Sequence, residues 1–304
     1  MNYKMVGFVL GRIFWIEAVL MLCPMACSAL FGEWDIVLSF LWPALVLVAL
    51  GMLLGLRQPR NTTIYARDGL VIVALVWVLM SVFGALPFMI SGEIPSFFDA
   101  FFEMVSGFTT TGSTILTDVK AMSRGLLFWR SFSHWVGGMG VLVFAMAVLP
   151  MTDGRAMHLM RAEVPGPTVG KISSKLQDSA KILYEIYFVL TVVEVIILCL
   201  GGMPLYDALI HSFGTAGTGG FSNKALSVGA YNNPFFEIVI GVFMLLFGIN
   251  FNLYYFILLR HFRDVFRSEE LRVYLGIVAF ATITITINIA SLYDNVGTAL
   301  RMAF

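Results

Sequence analysis

The fold of this chain is decided by DAFFEMVSGFTTTGST, residues Asp99–Thr114, because a second stretch repeats its pattern. DALIHSFGTAGTGGFS, residues Asp207–Ser222, aligns with it without a gap at an offset of 108 residues. Each stretch begins as a short apolar helix and continues into a loop of threonine and glycine. Such loops after a helix of half the usual membrane length indicate backbone carbonyls presented to an ion. The duplication indicates that several loops act together around one axis.

The composition places the chain in a membrane. Of its 304 residues, 59% are hydrophobic and only 12% are charged, whereas a soluble domain carries about 25% charged residues. The apolar runs have the length of spanning helices and lack the alternation of barrel strands. We therefore predict an all-α integral membrane protein, built from repeated helix–pore-helix–filter-loop–helix units as in potassium channels, with an added N-terminal helix pair. Nucleic-acid binding has no support, because no large basic patch belongs to a soluble domain.

Apolar runs of sufficient length predict seven spanning segments, at residues 8–31, 36–56, 69–91, 126–150, 182–202, 234–259 and 273–291. Two shorter apolar pieces, 96–108 and 204–216, are too brief to cross and are predicted to be re-entrant pore helices. Non-helical backbone at that depth is tolerated only where protein or water covers it, which favours a pore.

The repeat divides the chain into four regions. Residues 1–60 form the N-terminal two-helix addition, and residues 61–155 form the first pore repeat. Residues 156–265 hold a polar cytoplasmic linker and the second pore repeat, and residues 266–304 begin a third. Aligning Thr298 with Asp99 would place the third loop beyond Phe304, so we expect a truncated chain. The alternative is a native end that packs against another subunit.

Lysine and arginine predict the orientation. Of 19 such residues, 14 fall on the side of the N-terminus under the predicted spans. Positive residues concentrate on the cytoplasmic side of membrane proteins. The N-terminus is therefore expected in the cytoplasm, with both threonine–glycine loops open to the outside. The basic clusters at 57–67 and 260–267 are expected to contact anionic lipid and, in part, to dock a regulatory subunit.

Six loop residues are the candidate ion ligands: Thr110, Thr111, Gly112, Thr218, Gly219 and Gly220. A cation sheds its water only where the pore replaces those oxygens, and a ring of carbonyls does so. Successive inward carbonyls need backbone angles that glycine tolerates. The C-terminal ends of the pore helices carry negative partial charge, which favours cations. The alternative for one copy is an ordinary turn with a glycine cap, but a second copy in the same context makes that alternative weak.

Several stretches of the chain resemble a known family. GFTTTGST after DAFFE resembles the first filter of the Trk/Ktr/HKT superfamily of potassium transporters, and RSFSHWVGGMGVLVFAMAVLPM, Arg130–Met151, resembles the helix that follows in its TrkH branch. The linker Glu163–Tyr187 and the stretch His211–Ser222 are similar to that branch, which also carries the extra helix pair. The resemblance covers essentially the whole chain.

This resemblance implies potassium as the transported ion, four filter-bearing repeats, a multi-pass place in the cytoplasmic membrane and no organic cofactor in this chain. It also implies a homodimer and a TrkA-like cytoplasmic nucleotide-binding ring that controls gating. The family's filter glycines carry over onto Gly112 and Gly220. Coupling to another cation stays open, and the competing possibility is a non-conducting fragment or scaffold whose pore needs missing repeats or another chain.

An intramembrane enzyme is the other class weighed, and no HExxH motif or paired catalytic group supports it. Asp99 and Asp207 are expected to cap the pore helices, while Glu103 and His211 are expected to make structural contacts behind the filter. Glycines at 137, 138 and 140 indicate either a hinge or close helix packing, with packing favoured. Glu194 is either an interhelical hydrogen-bond group or part of a polar path.

Overall fold

The computed structural model describes residues 1–61, 65–140, 176–293 and 295–304. Every regular element within these ranges is helical, so the predicted all-α class is confirmed there. Five helices of this part are long and apolar enough to cross a membrane, and a bent pair would make a sixth.

The N-terminal addition consists of three helices, α1 (Tyr3–Leu20), α2 (Leu22–Leu30) and α3 (Trp34–Gly55). The first two form one candidate span of 28 residues, Tyr3–Leu30. Helices α1 and α3 cross closely, because a Cβ on Gly11 would lie only 2.9 Å from the Cα of Gly55. The two predicted spans at 8–31 and 36–56 are therefore present as a tightly packed pair.

The first unit contains α4 (Ala66–Ile90), α5 (Phe97–Phe108), a 3-10 turn (Val119–Ala121) and α6 (Arg124–Gly138). The third predicted span, 69–91, matches α4. The fourth, 126–150, matches α6 up to Gly138, where the helix ends before Met139 and Gly140; residues 141–150 lie outside the described residues. Most of the predicted cytoplasmic linker, residues 151–175, also lies outside them.

Helix α6 is the buried centre of the first unit. The ring of Trp129 contacts Phe40 of α3 and Phe108 of α5 edge-on, with ring centroids 6.0 Å apart in both pairs. The Trp129 indole N–H donates to the carbonyl oxygen of Gly84 on α4 over 3.0 Å. Three neighbouring helices thus fix one side chain of α6, which sets the position of the residues that follow it.

The start of α6 is capped by the N-terminal addition. The two Glu33 carboxylate oxygens accept from the backbone N–H groups of Arg124 and Gly125, over 2.9 and 3.0 Å. Glu93 accepts from the N–H of Ser123 over 2.9 Å. Free N–H groups at a helix start need such partners, and carboxylates there also interact favourably with the helix dipole. The added helix pair therefore holds the first unit in place.

The second unit contains α7 (Leu176–Leu200), α8 (Leu205–Ala216), a 3-10 turn (Ser227–Tyr231), α9 (Pro234–Phe247) and α10 (Phe251–Leu258). The predicted span 182–202 falls within and just past α7. The predicted span 234–259 corresponds to α9 and α10, which pass the length and hydropathy test together but meet at a bend of 90°. Gly248 ends α9, and the Asn250 side chain accepts from the N–H of Asn252 to start a new helix.

Three further helices follow: α11 (Phe262–Arg267), α12 (Glu269–Ile289) and α13 (Val296–Ala303). The predicted span 273–291 matches α12, which is apolar and mostly exposed. Helix α13 packs on α12. An apolar helix with so little of its surface covered by the chain is suited to contact lipid or other protein.

Candidate functional site

The two short helices of the repeat have equal length. Helices α5 and α8 each contain 12 residues, which corresponds to about 18 Å at 1.5 Å per residue. That length is too short for a hydrocarbon core of about 30 Å. Each helix ends directly at a threonine–glycine loop, so the two loops stand at the same place in their units.

The backbones of the two loops follow the same path. Thr110 and Thr218 have φ values of 55° and 53°, and Gly112 and Gly220 have φ values of 75° and 78°. Non-glycine residues rarely adopt positive φ, and here two threonines do so at equivalent places. The 108-residue offset therefore describes backbone geometry as well as sequence.

Equivalent hydrogen bonds hold both loops to their helices. The N–H of Thr111 donates to the carbonyl oxygen of Ser106 over 2.9 Å, and the N–H of Gly219 donates to that of Gly214 over 3.0 Å. One residue earlier, Thr110 and Thr218 donate to Gly107 and Thr215 over 3.1 and 2.9 Å. Carbonyl oxygens at the helix end thus accept hydrogen bonds from loop N–H groups, which fixes the direction of the loop.

The structure brings the two loops into contact. A Cβ added to Gly112 would overlap the carbonyl oxygen of Gly219, whereas a Cβ on Gly220 would meet nothing within 4 Å. Gly112 therefore needs to be glycine for two reasons, its positive φ and the close approach of the second loop.

The carbonyls of the six candidate ligands are free of internal partners. Within the described ranges, no hydrogen bond ends on the carbonyl oxygen of any of these residues: Thr110, Thr111, Gly112, Thr218, Gly219 or Gly220. Carbonyl oxygens without an internal donor can accept from water or coordinate a cation. One hydroxyl is occupied, since the Thr111 Oγ1 lies 2.8 Å from that of Thr109.

A matched polar contact stands behind each loop. The Thr114 hydroxyl donates to Glu103 of α5 over 2.9 Å, and the Ser222 hydroxyl lies 3.0 Å from Nε2 of His211 on α8. The His211 Nδ1 lies 2.7 Å from the carbonyl oxygen of Asp207, so Nδ1 donates there and Nε2 accepts from Ser222. Glu103 and His211 occupy equivalent positions in the two units, and both make hydrogen bonds behind the loops, as expected.

Arg130 of α6 joins the two loops. Its guanidinium is 2% exposed and pairs with Glu103, which is fully buried. The same guanidinium donates through Nη1 to the carbonyl oxygen of Ser222 over 3.3 Å and lies over the ring of Phe221. A buried charge requires a partner and hydrogen bonds, and Arg130 finds these on the first pore helix and on the second loop. From the sequence, Arg130 begins a span on the outer side and is expected either to snorkel or to pair with an outer carboxylate; the carboxylate that it pairs with is Glu103.

His134, one turn further along α6, was not predicted as a site residue. Its ring stacks on Phe221 with centroids 4.0 Å apart, and a Cβ on Gly219 would overlap the imidazole. Neither ring nitrogen has a hydrogen-bond partner in the described part of the chain. The face of the imidazole packs against the second loop.

The glycines of α6 serve close packing. A Cβ on Gly137 would overlap the carbonyl oxygen of Phe108, at the end of α5. A Cβ on Gly138 would lie 3.0 Å from the Cα of Gly217, in the second loop. Two adjacent glycines thus let α6 touch the ends of both pore helices, which supports the packing interpretation over the hinge.

The prediction that Asp99 and Asp207 cap the pore helices is wrong. The helices begin after Ser96 and Pro204, and Ser96 is the residue whose side chain accepts from the N–H of Asp99. Both aspartates lie in the first turn, where their charge still suits the helix dipole. The extended φ and ψ of a cap residue suit Ser96 and Pro204, and the spacing in the sequence did not show this.

The two aspartates differ in their surroundings. Asp207 accepts from the Asn223 amide over 2.5 Å and the Tyr231 hydroxyl over 2.7 Å, and it pairs with Lys224 at 3.1 Å. Burial, together with the bond to Asp207, raises the pKa of the Tyr231 phenol. Asp99 is exposed. The second loop is therefore tied to the chain that follows it by a cluster that the first loop lacks.

Glu194 of α7 is buried, and its carboxylate accepts no hydrogen bond from the described residues. It lies beside Thr215, whose hydroxyl instead donates to the carbonyl oxygen of His211 over 2.8 Å. Of the described residues, no three His, Cys, Asp or Glu side chains are grouped so as to hold a metal ion.

The chain is similar to known transport proteins. A family model described as "TrkH: Cation transport protein" matches residues 39–293. The Trk system potassium uptake protein TrkG of Escherichia coli K12 is 34% identical over 288 residues, which cover 94% of this chain and 59% of that protein. The TrkH protein of Salmonella typhimurium LT2 is 37% identical over 266 residues, covering 85% of this chain and 55% of that protein.

A solved structure is also similar. The crystal structure of the potassium transporter TrkH from Vibrio parahaemolyticus superposes with a TM-score of 0.84 at 27% sequence identity. The match covers 100% of this chain and 63% of that one. The chain thus spans between half and two thirds of the length of these relatives.

Proposed function

This chain belongs to the TrkH family of cation transport proteins, and from that premise we propose that it forms part of a potassium uptake pathway across the cytoplasmic membrane. The family membership confirms the resemblance drawn from the twin loops. The prediction that the chain is not an enzyme is also confirmed, since its relatives are named as potassium uptake proteins.

One observation carries this proposal. The two loops share a backbone path, touch each other at Gly112 and Gly219, and have six carbonyls that accept no hydrogen bond from the described residues. Carbonyls in this state can replace the hydration shell of a potassium ion. The negative ends of α5 and α8 face the same loops and add attraction for a cation. The six candidate ligands are therefore Thr110, Thr111, Gly112, Thr218, Gly219 and Gly220.

A ring around an ion needs more carbonyls than two loops supply. Potassium channels use four loops, and each of the two complete units here contributes one. We place the two loops as two quarters of such a ring, with α12 and α13 as the first elements of a third unit. The remaining loops come from further repeats or from another copy of the chain. Crosslinking between the loops themselves distinguishes these sources, because only the second links a loop of one chain to a loop of another, whereas a dimer of separate pores does not.

The orientation and partners follow the same proposal. The N-terminus lies in the cytoplasm and the loops open outward, as the excess of positive residues on one side supports. The protein is a homodimer, and a TrkA-like nucleotide-binding ring docks on its cytoplasmic face. The basic segment that contains Arg260, Arg263 and Arg267 is exposed and offers a docking surface for such a ring.

The experiment that tests the function is rubidium uptake in bacterial cells that lack their own potassium uptake systems. Cells producing the protein should take up rubidium, an ion close to potassium in size, and external potassium should compete with it. Absence of uptake by a protein shown to be in the membrane would favour the alternative, a non-conducting scaffold.

A further inference from the structure

A groove lies where α1 begins and α3 ends, in the added helix pair. It has a volume of about 710 Å³ and runs between the start of α1 and the segment that follows α3. Three cationic side chains line it, those of Lys4, Arg57 and Arg60. A groove of this size is large enough for a small organic group.

The cations of the groove are free to meet an anion. All three are exposed, and within the described ranges none of them forms an ion pair. The first turn of α1 also lines the groove, and a helix N-terminus adds positive partial charge. Four sources of positive potential thus face one groove without a carboxylate among its lining residues.

The groove is held in shape by its own chain. The Asn2 side-chain amide donates to the carbonyl oxygen of Asn61 over 2.8 Å, which ties the segment after α3 to the start of α1. The Asn2 side-chain oxygen accepts from the N–H of Met5 over 3.2 Å and caps α1. The basic segment is therefore fixed beside the helix start.

The rest of the lining is apolar. Gly7, Phe8, Leu53 and Leu54 continue the groove along the two helices, and the leucine side chains are exposed. A Cβ on Gly7 would make ordinary van der Waals contact with Leu54, at 3.9 Å, so the position has room for a methyl group and a longer side chain would extend into the groove. The groove is thus cationic at its end and apolar along its length.

We propose that this groove binds an anionic phospholipid of the membrane leaflet that faces the N-terminus. The headgroup phosphate lies among Lys4, Arg57 and Arg60, and an acyl chain lies along Gly7 and Leu54. A free phosphate would use the cations but leave the apolar length bare, whereas a phospholipid matches both parts. The inference rests on the proposed membrane placement and does not depend on the ion pathway.

The test compares lipid retention by variants of the full chain, purified in detergent and analysed by native mass spectrometry. Phosphatidylglycerol is titrated against phosphatidylcholine. The unaltered protein should retain phosphatidylglycerol in preference. Because a basic side chain at a membrane surface contributes about 1 kcal/mol, Arg57→Gln/Arg60→Gln should weaken retention about thirtyfold.

Two further variants separate the possibilities. Gly7→Leu fills the apolar part and leaves every charge, so it should also lower phosphatidylglycerol retention severalfold. Arg263→Gln/Arg267→Gln removes the same charge from exposed positions that do not line the groove, so it should lower retention much less than the Arg57/Arg60 variant does. If the Arg57/Arg60 variant fails to fold, Gly7→Leu still tests the proposal.

Three results would overturn the proposal: unchanged retention in both groove variants, an equal loss in the Arg263/Arg267 control, or full displacement of the lipid by inorganic phosphate. The last result would identify a free-anion site. Rubidium uptake is measured in parallel on the same variants. Loss of uptake alone bears on the proposed function, and loss of lipid retention alone bears on the groove.

Discussion

Arg130 lies over the ring of Phe221, with its Cζ atom 3.5 Å from the ring centroid. The two residues belong to different units, since Arg130 is on the spanning helix after the first loop and Phe221 is in the second loop. The contact therefore transmits the position of one loop to the other. Because the guanidinium also pairs with Glu103, the geometry of both loops depends on one buried cation.

Removing one partner of this pair should be costly. Glu103→Gln leaves the buried Arg130 charge uncompensated, and such changes destabilise proteins by about 3–5 kcal/mol. We expect a clear fall in the thermal unfolding temperature of the purified protein and loss of rubidium uptake. The double variant Glu103→Gln/Arg130→Met removes both charges and should be more stable than Glu103→Gln alone. Additive losses in the double variant would show that the two charges are not coupled.

The hydroxyl groups behind the loops should contribute unequally. Ser222 is buried and Thr114 is exposed, although both donate to equivalent pore-helix residues. Loss of a buried hydrogen bond costs about 1 kcal/mol, and water can replace an exposed one. Ser222→Ala should therefore lower the unfolding temperature more than Thr114→Ala. Ser222→Thr, which keeps the hydroxyl, is the control, and equal effects of the two alanine variants would contradict the prediction.

Replacing the loop glycines should reduce rubidium uptake by different amounts, because their surroundings differ. In Gly112→Ala the added methyl group overlaps the Gly219 carbonyl, and alanine must also adopt a positive φ. In Gly220→Ala the methyl group meets nothing, so only the positive φ is unfavourable. Positive φ alone costs a non-glycine residue about 1–2 kcal/mol. Rubidium uptake should fall most in Gly112→Ala, less in Gly220→Ala, and not at all in Gly229→Ala, where the added methyl group meets nothing. The reverse order would refute the contact between the loops.

The two aspartates of the repeat should respond differently to neutralisation. Asp207→Asn loses the ion pair with Lys224 and weakens the bonds from Asn223 and Tyr231, whereas Asp99 is exposed and makes no ion pair in the described part of the chain. Because hydrogen bonds to a charged group contribute about 1.5–3 kcal/mol, Asp207→Asn should destabilise the protein measurably. Asp99→Asn serves as its matched control and should unfold at the temperature of the unaltered protein.

Much of the fold could be predicted from the sequence, because long apolar runs in a chain with so few charges indicate membrane-spanning helices. The twin loops could be aligned because both require glycine at one position, and the structure gives Gly112 and Gly220 the same positive φ. The bend at Gly248 was not predicted, because residues 234–259 are apolar on both sides of it. Hydropathy gives the length of an apolar segment but not the angle between two helices within it.

The support of the loops was also beyond sequence reasoning. Arg130 and His134 act on a loop more than 80 residues away, and no local pattern records that contact. The Asp207 cluster depends on the turn Ser227–Tyr231 folding back onto α8, which is a tertiary relationship. Spacing identified the loops themselves, whereas packing between units determines which residues hold them.

The most direct test of the central claim is the competition of sodium and potassium with rubidium uptake in Gly112→Ser. We expect this variant to reach the membrane but to lose the advantage of potassium over sodium as a competitor, because a side chain at Gly112 displaces the Gly219 carbonyl. Uptake and competition equal to those of the unaltered protein would contradict the claim that these two loops form part of the potassium pathway.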